Sequence, residues 1–102
     1  MRVKVRYFTT LRELAGSPEE ELEMECRSTL ADLIRKIAMK YGKEAHNYLY
    51  HKERIDPSIN FLINGISAHT LNKFKTRLKD GDVVAIIPPI GGGEFKLRSP
   101  WF

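Results

Sequence analysis

Five consecutive apolar residues, Val83-Val84-Ala85-Ile86-Ile87, run into Pro88-Pro89 near the end of the chain. A strand without polar alternation needs cover on both faces, as central strands have. Proline has no N–H to give to a ladder, so the diproline ends the strand. The spacing therefore predicts a central final strand, with a stiff elbow aiming the rest of the chain away from the body.

Two other segments alternate. In RVKVRYF (2–8), Val3, Val5 and Tyr7 lie on one face, with Arg2, Lys4 and Arg6 on the other. In ELEMEC (21–26), Leu22, Met24 and Cys26 oppose Glu21, Glu23 and Glu25. Both read as half-buried strands. Paired antiparallel, the basic face of one meets the acidic face of the other, which favours the pairing. The connection TTLRELAGSPE contains a Gly-Ser-Pro break and reads as a loose hairpin loop. On this reading Cys26 is a small core residue.

A helix follows. Thr29 is the predicted N-cap, with Asp32 three residues on as a variant of the capping box. Leu30, Leu33, Ile34, Ile37, Ala38 and Tyr41 make one apolar stripe, and Gly42 is the expected stop. Residues 43–58 read as an irregular or partly helical connection. Phe61-Leu62-Ile63 is a short strand closed by Asn64-Gly65, and Asp80-Gly81-Asp82 is a second turn. With the final strand beside the first, the pattern is an α+β roll. It has a mixed sheet of four to five strands and one main helix on one face, the β-grasp (ubiquitin-like) architecture.

The chain has 102 residues, enough for one domain with a modest core. No apolar run approaches the roughly 20 residues of a membrane span. Met1 leads directly into a strand, so no secretory leader is expected, and one cysteine cannot form an internal disulfide. These features point to the cytosol. The net charge of +4 comes without a dense basic block. Nucleic acid is accordingly not an expected partner, and neither is a membrane.

Catalytic apparatus is hard to find. His46, His51 and His69 lie in polar connections without metal-ligand spacing, so no metal site is expected. Gly91-Gly92-Gly93 lacks the helix and lysine of a phosphate loop. The distinctive features are Phe8 and the tail. Phe8 falls on the face of Arg2, Lys4 and Arg6. It either packs under the following loop or joins an apolar patch with alternate residues of the last strand, a surface that marks a partner site. Ile86 and Ile87 are the candidates for that patch beside it. Gly91, Gly92 and Gly93 form a thin peptide without Cβ atoms, suited to a narrow channel on another protein. A flexible linker is the bland alternative.

Together, VRYFTTLRELAG (5–16), TLADLIRKIAMKYG (29–42), FLINGISA (61–68) and LKDGDVVAIIPPIGGG (78–93) resemble the small subunit of molybdopterin synthase (MoaD-like), within the ThiS/MoaD group of ubiquitin-like sulfur carriers. The resemblance covers about residues 1–93 and is most specific at PPIGGG. It implies a carrier that is no enzyme on its own. Gly93, as a free C-terminus, would be adenylated with ATP by a ubiquitin-activating-like adenylyltransferase (MoeB-like). A sulfur donor would then convert the adenylate to a thiocarboxylate. Gly91, Gly92, Pro88 and Pro89 would lie along a channel of the large subunit (MoaE-like), where sulfur passes to the pterin precursor of the molybdenum or tungsten cofactor. No cofactor would be held stably. The same tail chemistry serves a protein modifier forming isopeptide bonds, or a ThiS-like carrier for thiamine or tRNA thiolation. A non-covalent binding module is a further alternative.

Residues 94–102, EFKLRSPWF, depart from the family pattern, which ends at a glycine. They are expected to be either a precursor segment removed by a protease or a cloning scar, since EF, KL and RS translate common cloning sites. While Gly93 sits in a peptide bond it has no carboxylate, so the uncleaved chain is expected to be inactive as a sulfur acceptor.

Overall fold

The computed structural model describes residues 1–89. Strand β1 (Arg2–Tyr7) leads into helix α1 (Thr9–Ala15), strand β2 (Glu19–Glu23), helix α2 (Leu30–Tyr41) and helix α3 (Lys43–Leu49). A small hairpin of β3 (Tyr50–His51) and β4 (Arg54–Ile55) follows. The chain then forms β5 (Asn60–Ile63), β6 (Ile66–Ser67), two 3-10 turns (Ala68–Thr70 and Lys73–Lys75) and β7 (Val83–Ile87). The main sheet has the order β2-β1-β7-β5-β6. The last strand is thus central, parallel to β1 and antiparallel to β5. This is the expected ubiquitin-like β-grasp.

The charge pattern of the first hairpin survives in detail. Arg2 faces Glu23, Lys4 faces Glu21, and Arg6 faces Glu19. Arg2 forms ion pairs with Glu21 and Glu23, and Lys4 and Arg6 with Glu19. These are exposed contacts, each worth no more than about 1 kcal/mol. Their larger effect is on register, because a one-residue slip would set the acids against the core.

Helix α2 covers one face of the sheet. Leu30, Leu33, Ile34, Ile37 and Ala38 are buried on Val3, Val5, Leu22, Phe61, Ile63, Val84 and Ile86 of the strands. Burying one such Leu, Ile or Val contributes about 1.5–3 kcal/mol. The start of α2 is a reciprocal capping box. Thr29 Oγ1 accepts from the Asp32 amide, and the Asp32 carboxylate accepts from the Thr29 amide. Gly42 ends the helix at φ +85°.

Several expectations change. The connection after β1 contains a helix, because Leu11, Leu14 and Ala15 form an inward stripe and Gly16 closes it in the left-handed region at φ +76°. Strand β2 spans Glu19–Glu23 rather than 21–26. Beyond it the chain turns at Arg27, φ +74°, which leaves Cys26 exposed rather than in the core. Residues 43–58 are partly helical, as one of the two readings had it, with α3 followed by the β3–β4 hairpin. Finally, β7 is fully buried on one face only. Val84 and Ile86 are buried, whereas Val83, Ala85 and Ile87 are half-buried on the other face.

Candidate functional site: the end of the central strand

The half-covered face of β7 carries the candidate site. Phe8 keeps the extended backbone of β1, with φ −133° and ψ 152°. It therefore continues the outward row of Arg2, Lys4 and Arg6. Tyr7 pairs with Ile86, so Phe8 comes level with Ile87, and Ile87 pairs on its other side with Asn60 of β5. Phe8, Thr9, Asn60, Leu62, Ile87 and Pro88 surround one mainly apolar cavity of about 490 Å³. The chain leaves the described residues directly beyond this cavity, through half-buried Pro88 and exposed Pro89.

Thr9 sharpens the corner. Its φ is +46°, a value that β-branched residues rarely adopt. The turn ends the extended run at Phe8 and starts α1, which leaves Phe8 lining the cavity. An exposed apolar cavity at a rigid strand end is suited to receive a side chain from another protein.

Of the residues expected at this surface, Phe8 and Ile87 come together, and Pro88, expected to lie along a partner's channel, lines the same cavity. Ile86 does not. It is 1% exposed and belongs to the core, because adjacent residues of a strand point to opposite faces. Gly91, Gly92, Gly93 and residues 94–102 lie outside the described residues. Leu62, Asn60 and Thr9 were not anticipated. The signal for Leu62 lay in its position between inward Phe61 and Ile63, which sends it to the opposite face.

A larger cleft, about 920 Å³, lies between β2 and α2, lined by Glu23, Met24, Lys36 and Met39 among others. Its lining mixes the cations of Arg35, Lys36 and Lys40 with carboxylates, and Lys36 Nζ already donates to the Glu23 carbonyl across it. It is remote from the exit of the chain, so volume alone does not make it the site.

The histidines do not converge. His46 stacks on Tyr50 with ring centroids 4.6 Å apart, and His51 and His69 are exposed. Among the described residues no three His, Cys, Asp or Glu side chains are grouped to hold a metal. No described helix is long and apolar enough to cross a membrane. Asp80 and Asp82 act in turns. Asp80 accepts from the Arg2 amide, and Asp82 accepts from the Lys79 amide and the Asn64 side chain.

A five-stranded mixed sheet, one long helix across it and a C-terminal peptide leaving the central strand define a ubiquitin-like β-grasp protein. The chain belongs to the ThiS family, whose pattern it matches over residues 5–93. It is 31% identical over 93 residues to small archaeal modifier protein 3 of Haloferax volcanii, covering 91% of this chain and all of that one. It is 36% identical, over the same shares, to the molybdopterin synthase sulfur carrier subunit of Chlamydomonas reinhardtii. The solved small archaeal modifier protein 1 of Methanosarcina acetivorans superposes with a TM-score of 0.76 at 37% identity, over 90% of this chain and 96% of that one. The protein is thus a sulfur carrier of the ThiS/MoaD type, small and not an enzyme on its own.

Proposed function

We propose that this chain, ending at Gly93, is the sulfur-carrying small subunit of molybdopterin synthase. The observation that carries the reading is the apolar cavity of Phe8, Leu62, Ile87 and Pro88 at the root of a glycine tail, in a chain whose family match runs to Gly93. In the first step the Gly93 carboxylate attacks the α-phosphorus of ATP, and pyrophosphate leaves. A carboxylate oxygen is a poor leaving group, and the acyl-adenylate replaces it with AMP. A sulfide-equivalent nucleophile from a sulfur donor then adds to the acyl carbon, and AMP departs with the bonding electrons. The product is a thiocarboxylate whose sulfur is nucleophilic towards the pterin precursor.

The carrier needs an adenylyltransferase, a sulfur donor and a large catalytic subunit. The Phe8–Ile87 cavity would seat an apolar side chain of such partners. Pro88 and Pro89 would aim Gly91 and Gly92 into the channel, where the lack of side chains allows close approach. Residues 94–102 must be absent for any of this, since they leave Gly93 without a carboxylate.

The full-length match to a modifier protein supports a second reading. The same adenylate, attacked by a lysine amine instead of sulfide, gives an isopeptide bond and releases AMP.

The test is intact-mass measurement on the chain ending at Gly93, incubated with ATP, an activating enzyme and a sulfur donor. The expected result is the gain of one oxygen-for-sulfur exchange, followed by conversion of the pterin precursor when a large subunit is added. Conjugates on lysine-containing proteins with no pterin conversion would move the assignment to the modifier. No mass change with a competent enzyme would overturn both.

A further inference from the structure

Residues 57–79 contain no aspartate or glutamate, yet they hold Lys73, Lys75, Arg77 and Lys79. The carboxylates that flank this stretch are held locally. Asp56 accepts from the amide and hydroxyl of Ser58, and Asp80 accepts from the Arg2 amide. In sequence the cations look sparse, because each is separated from the next by another residue. The fold sorts them. Phe74 is half-buried against the ring of Phe61, Thr76 is half-buried, and Leu78 is 3% exposed. All four cations between and beside them are exposed. None of the four makes an ion pair among the described residues.

This basic ridge is anchored. The amide of Leu30 donates to the Thr76 carbonyl, and the amide of Leu78 donates to the Ser28 carbonyl. The inward side chains and these backbone bonds hold the ridge against the start of α2. Leu71, two residues before Lys73 in the chain, is one of the three large apolar residues exposed among those described. It is 40% exposed. Lys79 precedes β7 and the tail follows it, so the ridge and the tail leave opposite ends of that strand. Five residues of strand separate the two ends by about 16 Å.

We infer that Lys73, Lys75, Arg77 and Lys79, with Leu71, form a second docking surface for an acidic protein segment that carries an apolar side chain. The unpaired cations supply electrostatic complementarity and steer encounter. The exposed leucine favours a protein over the phosphate backbone of a nucleic acid, which would use the charges and leave Leu71 unused. Because the ridge lies at the far end of β7, its occupant would leave the Phe8–Ile87 cavity and the tail free. The carrier could then be held by one protein while its tail is served by another. This inference does not depend on the sulfur chemistry.

The test uses the full chain and a short fluorescent Asp/Glu-rich peptide with a central leucine, titrated at low and at physiological salt. Binding should weaken by about tenfold or more in the K75E/R77E double variant, and should be salt-sensitive. The control double variant R12E/K43E makes the same change in net charge elsewhere, and should bind within about twofold of the parent. L71S should weaken peptide binding without altering its salt dependence. Circular dichroism and thermal unfolding of each variant check that the fold is kept, and K75Q/R77Q provides a milder change if the reversal unfolds it. Absence of peptide binding, or equal weakening by the two charge-reversal pairs, would overturn the inference. So would tighter, ridge-dependent binding of single-stranded RNA or of phosphatidylserine vesicles, which would assign the ridge to another class of partner.

Discussion

Tyr7 of β1 donates its phenol hydrogen to Glu20 of β2 at 2.5 Å, and the carboxylate that receives it also ties the sheet to helix α2. The same carboxylate oxygen accepts from Tyr41, and the other accepts from Lys40 at 2.7 Å. The two tyrosine rings meet edge to face at 6.1 Å. Glu20 is the hub, since three donors from β1 and α2 converge on one edge-strand side chain. E20A should leave the 1%-exposed Tyr7 without its acceptor. A stranded buried hydroxyl costs about 1–3 kcal/mol. Y7F should cost less, about 1 kcal/mol, because Glu20 keeps its other two donors. Urea unfolding should show a lower midpoint at unchanged slope for both.

The same cluster sets a pH dependence. Burial pushes the Glu20 carboxyl up, but hydrogen bonds from Lys40, Tyr41 and Tyr7 outweigh it, so the group titrates below its ordinary value. A depressed carboxylate contributes stability above its unfolded pKa and loses it as pH falls through the folded one. Thermal stability should therefore decline below about pH 4. Tyr7 behaves oppositely. Burial, then the Glu20 hydrogen bond and charge, raise it far above the tyrosine range. A raised pKa contributes stability below the unfolded value, so stability should fall again above about pH 10, as unfolded tyrosine ionises. Melting curves across pH check both limbs, and Y7F should flatten the alkaline one.

Adjacent residues of β7 should give opposite phenotypes. I86A removes packing from a 1%-exposed core position and should destabilise by about 2–5 kcal/mol. I87S, on the half-buried face, should cost less stability but, on the proposed function, weaken association with a large subunit. F8S should behave like I87S, since both residues line one cavity. Denaturation and co-purification, measured on the same three variants, separate the effects. Equal loss of association in I86A at temperatures where it is folded would contradict this division.

Gly16 ends α1 at φ +76°, and a Cβ built there meets no atom within 4 Å. Steric room is available, but the backbone conformation suits L side chains poorly. G16A should therefore destabilise by about 1 kcal/mol through backbone strain alone. G16N, which tolerates the left-handed region, should cost less. Thermal unfolding of the two variants checks the ordering.

The sequence by itself determined the frame. Its alternating RVKVRY, the stripe of α2, the Thr29–Asp32 cap and the apolar run before Pro88 each follow a local period or cap, and local rules suffice to read them. It also named Phe8, the pair Ile86 and Ile87, and, through PPIGGG, the glycine tail. Only tertiary structure decided which face of β7 is open, because an all-apolar strand carries no alternation to tell Ile86 from Ile87. The exposure of Cys26 depended on where β2 stops, which the turn at Arg27 controls. Helix α1 was legible in Leu11, Leu14 and Ala15, but the nearby Gly-Ser-Pro break suggested a loop. Leu62 joined the site, and Lys73 to Lys79 became one ridge, through burial of the residues between them. Such gatherings arise from non-local packing, which neither the period nor the spacing of a single segment records.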